Sequence, residues 1–193
     1  DHLDRKTLEA LMQVNPELEI LVPSANQEFA AERLAVAPGR LQAIDAGESI
    51  DIAGFTIYGV PAAHEKLETD SAGRQHYLGY LARFGPWTVY HSGDTILYEG
   101  MMEMLRQWRI DLALLPINGR KPERRVAGNL FGREAARLAK DIGARLVVPC
   151  HFEMFEFNTE SPDEFVNVCR ELNQPCHVLR AGERWTSDGL GVA

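Results

Sequence analysis

Four short runs in this 193-residue chain carry side chains of the kind that hold metal ions. Asp1-His2-Leu3-Asp4 opens the chain, and His64 closes the run Tyr58-Gly59-Val60-Pro61-Ala62-Ala63-His64. Asp94 sits in Tyr90-His91-Ser92-Gly93-Asp94-Thr95, and His151 ends Leu146-Val147-Val148-Pro149-Cys150-His151. Imidazole and carboxylate are donors that Zn²⁺, Fe or Mn²⁺ accept, and the two oxygens of a carboxylate such as Asp94 can bridge two cations. One chemistry open to such a centre is hydrolysis by a metal-bound hydroxide, in which two cations would lower the pKa of the water they share and polarise the bond under attack. Taken singly, each residue has a plainer reading, as a hydrogen-bonded histidine at a strand end or as an ordinary polar turn. Their number and order, Asp-His, His, Gly-Asp, His, favour metal.

Metal ligands need rigid supports, and the hydrophobic pattern predicts them. Leu3, Leu8, Leu11 and Met12 recur at helical spacing and predict a helix over 4–14, placing Asp1-His2 just ahead of a helix start. Residues 19–23 predict a short buried strand, and 25–34 a second helix with Ser24 as its N-cap. Between 41 and 60, runs rich in Ile and aromatics broken at Ala46-Gly47 and Ala53-Gly54 predict antiparallel strands of one sheet. Two more strands follow at 76–84 and 87–91, joined by a Gly85-Pro86 turn. Beyond Asp94, helices predicted at 99–108, 132–142 and 162–172 alternate with strands at 111–116, 145–149 and 176–179, which argues for α/β layering. His64, Asp94 and His151 then each fall at or just past a strand end, where loops on rigid strands converge. The interval 118–129 is a long stretch without predicted structure, a length usually reserved for functional or mobile loops.

In this order the motifs resemble the metallo-β-lactamase fold superfamily of metal-dependent hydrolases. Asp1-His2-Leu3-Asp4 looks like the second half of a His-x-His-x-Asp-His cluster. With Val60-Pro61-Ala62-Ala63-His64, Tyr90-His91-Ser92-Gly93-Asp94-Thr95, Leu115-Pro116-Ile117-Asn118-Gly119-Arg120 and Val148-Pro149-Cys150-His151-Phe152, it is similar to the branch containing L-ascorbate-6-phosphate lactonase. The resemblance covers almost the whole chain and implies one domain over 1–193, an α/β fold of four-layer αβ/βα sandwich type whose opening strands lie ahead of Asp1. It implies two divalent metal ions, Zn²⁺ or Mn²⁺. Asp1, His2 and His151 would hold one, Asp94 would bridge to the other, and His64 would be a ligand of that other. This second position is expected to be incomplete, because the His-x-His pair is not in the chain. Asp1 would also steer the hydroxide, and the substrate would be a lactone or related ester, with or without a phosphate. A phosphodiester is the alternative within the same chemistry. A non-catalytic metal-binding or interaction module is the alternative outside it, favoured by the missing pair.

The basic run Gly119-Arg120-Lys121-Pro122-Glu123-Arg124-Arg125 reads equally as a phosphate anchor or as a solvated loop. Asn118 and Arg120, nearest the strand end, are its substrate-binding candidates. His91 is expected to orient a ligand rather than bind metal; His76 is expected to be structural, His177 is assigned no function, and Glu153 is either a support for the site or exposed. A thiol nucleophile at Cys150 is set aside, because adjacent strand residues point to opposite faces and so cannot easily pair Cys150 with His151.

Composition narrows the classes. Twenty Lys and Arg against 28 Asp and Glu give a net charge of −8, which disfavours nucleic acid as a partner. Three cysteines without ribbon or disulfide spacing suit reduced thiols in a cytoplasmic protein. No apolar run reaches the roughly 20 residues of a membrane span, so no membrane partner is expected. The expected partner is a small molecule, and an exposed sheet edge would favour association into a homo-oligomer.

Overall fold

The computed structural model describes residues 3–190. Helix α1, Arg5–Val14, begins at Asp4, whose carboxylate caps it by accepting the Thr7 N–H at 2.8 Å. Strand β1, Leu21–Pro23, leads through a 3₁₀ turn at Ser24–Asn26 into helix α2, Gln27–Leu34, and then to strand β2, Gln42–Ile44. The helix predicted from 25 therefore starts later, and Ser24 begins the tighter turn instead of capping α2. β1 and β2 pair in parallel as a separate two-stranded sheet, a β-α-β unit and not part of the antiparallel set expected for 41–60. Ala30, Ala31 and Leu34 of α2 pack with Ile20, Val22 and Leu41, and Leu8 and Met12 of α1 close over them.

The second sheet has six strands in chain order: β3 Ser49–Ile52, β4 Phe55–Pro61, β5 Leu78–Phe84, β6 Trp87–His91, β7 Leu112–Pro116 and β8 Leu146–Cys150. β3 to β6 are antiparallel, and the two-residue turn Ala53-Gly54 has φ of 49° and 84°, the left-handed pair that matches strand twist in a tight hairpin. β6, β7 and β8 are parallel, and parallel neighbours need crossovers. Helices α3, Met101–Leu105, and α4, Gly132–Asp141, supply them, and α5, Asp163–Glu171, packs on α4. α3 is much shorter than the predicted 99–108, and the strand predicted at 176–179 is a single bridge between Cys176 and Val147. The core between this sheet and its helices is led by the fully buried Leu81, Tyr90, Leu105, Leu115, Ile117, Leu138 and Phe165. Helices thus cover each of two sheets, the α/β sandwich anticipated above.

Topology explains why distant residues meet. Two antiparallel reversals turn β4 into the same direction as β6, and β8 already runs parallel to it. The carboxyl ends of β4, β6 and β8 therefore lie along one edge, with β6 in the middle and its partners about 10 Å to either side.

Candidate metal centre

The loops leaving those three strand ends bring His64, Asp94 and His151 together. His64 Nε2 stands 3.6 Å from Asp94 Oδ2, and His151 Nε2 stands 3.5 Å from the same oxygen. Two ligands bound tetrahedrally to one cation at about 2.0–2.1 Å lie roughly 3.3 Å apart, so each imidazole is spaced from Asp94 as a co-ligand would be. His64 Nδ1 lies 3.2 Å from the Gly128 carbonyl. A carbonyl accepts and cannot donate, so this contact is made with a proton on Nδ1 and leaves Nε2, the nitrogen nearer Asp94, as the one that could bind a metal. His151 has φ 57°, a left-handed conformation that costs a non-glycine residue about 1–2 kcal/mol. Bonds on either side hold it there: Ile117 N–H donates to the Cys150 carbonyl at 3.0 Å, and Glu153 N–H to Thr159 Oγ1 at 2.7 Å.

Two imidazoles and a carboxylate fit a divalent cation of the zinc or manganese type. Among the described residues no three His, Cys, Asp or Glu side chains converge on a single ion. What they supply is two ligand pairs that share Asp94. Asp1 and His2, the other expected ligands, lie outside the described residues.

The turn carrying Asp94 is braced by residues that the sequence did not single out. Thr95, fully buried, accepts the Ala63 N–H at 3.0 Å and donates to the Ile96 carbonyl at 2.9 Å, while Ile96 N–H donates to the Ala63 carbonyl at 2.7 Å. Asp94 is thereby locked to the residue preceding His64. The Thr95 carbonyl accepts from Leu130 N–H at 2.9 Å, so the segment that holds His64 through Gly128 is tied in as well. Between those two contacts lies Asn129, 1% exposed, whose side-chain oxygen and nitrogen have no hydrogen-bond partner among the described residues. Underneath, a Cβ on Gly79 would stand 2.6 Å from the Ser92 carbonyl oxygen, so the close approach of β5 to the Asp94 turn requires glycine there. The signals were faint: a threonine beside Asp94 and a glycine in a strand, neither informative without its neighbours.

Other candidates take different places. His91 is exposed, and its Nδ1 accepts the Gly93 N–H at 3.0 Å, which stiffens the turn one residue before Asp94. Asn118 is fully buried and its Nδ2 donates to Asn158 Oδ1 at 3.2 Å. Arg120 makes a bidentate pair with Glu134, at 2.7 and 2.8 Å, and lies 4.8 Å over the Phe131 ring. Lys121 and Arg124 both pair with Glu160, and Arg124 also donates to the carbonyls of Asn118 and Thr159. Much of the basic run is thus neutralised internally and staples the 118–125 loop to the loop after His151, which argues against Arg120 as a phosphate anchor. His76 Nδ1 lies 3.1 Å from Asn26 Oδ1 and His177 pairs with Glu183, while the Glu153 side chain is exposed. Burial, and after it the charge of Asp94, pushes the Cys150 thiol up to about 12, far from a thiolate nucleophile at neutral pH.

Residues 1–152 match the model of a beta-lactamase superfamily domain, a span that contains every expected ligand. A UPF0173 metal-dependent hydrolase from Rubrobacter xylanophilus is 33% identical over 147 residues, covering 72% of this chain and 58% of the relative. Another UPF0173 metal-dependent hydrolase, from Methanosphaerula palustris, is 30% identical over 170 residues, covering 86% of this chain and 75% of the relative. The chain spans about half the length of the first curated relatives it matches. Among solved structures, the metallo hydrolase Igni18 from Ignicoccus hospitalis aligns over 92% of this chain and 71% of its own, with a TM-score of 0.69 at 22% identity, a likeness of fold.

Proposed function

The chain belongs to the UPF0173 metal-dependent hydrolases of the beta-lactamase superfamily, and on that premise we propose that it hydrolyses a lactone or related ester with divalent cations held by Asp1, His2, His64, Asp94 and His151. One observation carries the reading: a single carboxylate oxygen of Asp94 lies 3.6 Å from His64 Nε2 and 3.5 Å from His151 Nε2. A carboxylate between two imidazoles can serve two cations at once. When bound, the cations lower the pKa of a water and polarise the carbonyl it attacks.

The remaining work falls to this chain's own residues. The Gly128 carbonyl holds the proton of His64 on Nδ1 and keeps Nε2 available as a donor. Thr95 fixes the distance between the His64 and Asp94 loops. Asp1 is assigned the steering of the attacking water, by accepting a hydrogen bond from it. An ester is preferred to a phosphodiester because Arg120, the cation nearest the strand end, is engaged by Glu134.

Elemental analysis and lactone turnover test the proposal together. The purified protein is expected to carry divalent metal; Asp94→Ala and His151→Ala are expected to lose most of it and to lower hydrolysis by about 100-fold or more. A wild-type protein holding less than a small fraction of one metal per chain would sink the reading in favour of a non-catalytic module.

A further inference from the structure

At the end of the sheet opposite Asp94 lies a cavity of about 400 Å³ that the proposed chemistry does not use. Its walls come from the Gly85-Pro86 turn, the first residues of β6, the residue before β7 and the segment following α3. A five-residue strand such as β6 is about 13 Å long from first to last Cα, so this cavity and the candidate metal centre are separate places.

The lining includes two arginines, Arg83 and Arg109, and two tryptophans, of which Trp108 stands on the same face of the sheet as Arg83 while Trp87, paired with Phe84, borders the cavity from the hairpin. Asp111 is the one acidic residue among the described residues that line it, and it is 2% exposed and already committed. Its carboxylate accepts from Arg145 at 2.7 Å and from the Thr88 N–H at 2.9 Å. Arg109 is exposed and has no ion-pair partner among the described residues. Arg83 reaches the hydroxyl of Tyr58 at 3.3 Å, and the Tyr58 ring packs on Trp108 with 4.4 Å between centroids. Tyr58 therefore touches one cation and one indole of the cavity and sets their spacing. In a chain of net charge −8, Arg83 and Arg109 beside the Trp108 indole, with no free carboxylate among the described lining residues, form a local exception that suits an anion with a flat apolar body. The volume lies within the usual 300–1,000 Å³ range of small-molecule sites.

We propose that this cavity is a second binding site, taking a planar organic anion whose acidic group pairs with Arg83 and Arg109 and whose ring lies against Trp108. Quenching of indole fluorescence by 4-nitrobenzoate reads the site directly, in a Trp185→Phe background that leaves Trp87 and Trp108 as the reporters. Saturable quenching is expected, with the neutral 4-nitrobenzamide at least about tenfold weaker. Arg83→Gln combined with Arg109→Gln should weaken nitrobenzoate to the level of the amide. Asp94→Ala should leave the affinity unchanged, because the candidate metal centre is elsewhere. Quenching that fails to saturate, equal affinity for acid and amide, indifference to the double arginine variant, or loss of binding in Asp94→Ala would each overturn the proposal. None of these outcomes depends on hydrolysis, so the site stands or falls apart from the proposed activity.

Discussion

Asp94 meets two imidazoles through one oxygen, and the contacts that keep it there lie in its neighbour. The Thr95 hydroxyl accepts from Ala63 and donates to Ile96, so its removal leaves a buried N–H without a partner while every metal ligand stays in the chain. Thr95→Val is expected to cost about 1–3 kcal/mol and to lower metal occupancy, whereas Thr95→Ser keeps both. Urea unfolding and metal titration of the two variants check this; equal behaviour would show that shape, not the hydroxyl, matters. Arg120 makes the opposite point, because a side chain that suits phosphate recognition is engaged by Glu134 at 2.7 and 2.8 Å. Arg120→Ala is expected to change KM for phosphorylated and neutral lactones to the same degree. A KM raised for the phosphorylated compounds alone would restore the phosphate anchor.

Among the elements, α4 shows how a charge and a cap are combined. Glu134 accepts the Phe131 N–H at 2.9 Å at the start of the helix while it holds Arg120. Its partial burial favours the neutral acid, but the Arg120 and Phe131 hydrogen bonds and the charges of Arg120 and Arg133 outweigh it and bring the carboxyl below the ordinary 4.5. A depressed folded-state value contributes stability above the unfolded value and loses it as pH falls through the folded one. Because Arg120 is 40% exposed, solvent screening limits this contribution to about 1 kcal/mol. Glu134→Gln, which retains an oxygen for the cap, should be less stable than wild type by about that amount at neutral pH and equal to it once pH has dropped well below 4.5. Denaturant midpoints at the two extremes measure the gap; a gap that persists in acid would mean that charge is not its source.

At the scale of the molecule, the candidate metal centre joins the ends of β4, β6 and β8, strands far apart in sequence. Ligands that bind the folded state and not the unfolded one stabilise it by mass action, about 2.7 kcal/mol at a hundred times Kd. Chelation is therefore expected to lower the melting temperature by roughly 5–10 °C, with recovery on adding back Zn²⁺ or Mn²⁺. A melting curve indifferent to chelator would place the metal outside the folded core. In this chain of net charge −8, Glu134 pairs with Arg120, and Glu160 is shared by Lys121 and Arg124. Among the described residues no helix is long and apolar enough to cross a membrane.

The sequence by itself determined the local elements and the order of the chemistry. Asp4 as a helix start, the Gly85-Pro86 hairpin, the alternation after Asp94 and the strand-end positions of His64, Asp94 and His151 were legible because turn chemistry and hydrophobic period act over a few residues. Only the tertiary structure decided pairing. That β2 joins β1 across α2, that Ser24 begins a 3₁₀ turn, and that Cys176 contributes a bridge and not a strand depend on partners distant in the chain. The same holds at the site: the shared oxygen of Asp94, the lock at Thr95 and the engagement of Arg120 are contacts spanning 14 to 57 residues, whose geometry is set by strand direction and packing and leaves no periodic trace. Residue type and spacing announce what a side chain could bind; the sheet's two reversals and its parallel half decide which of those side chains meet.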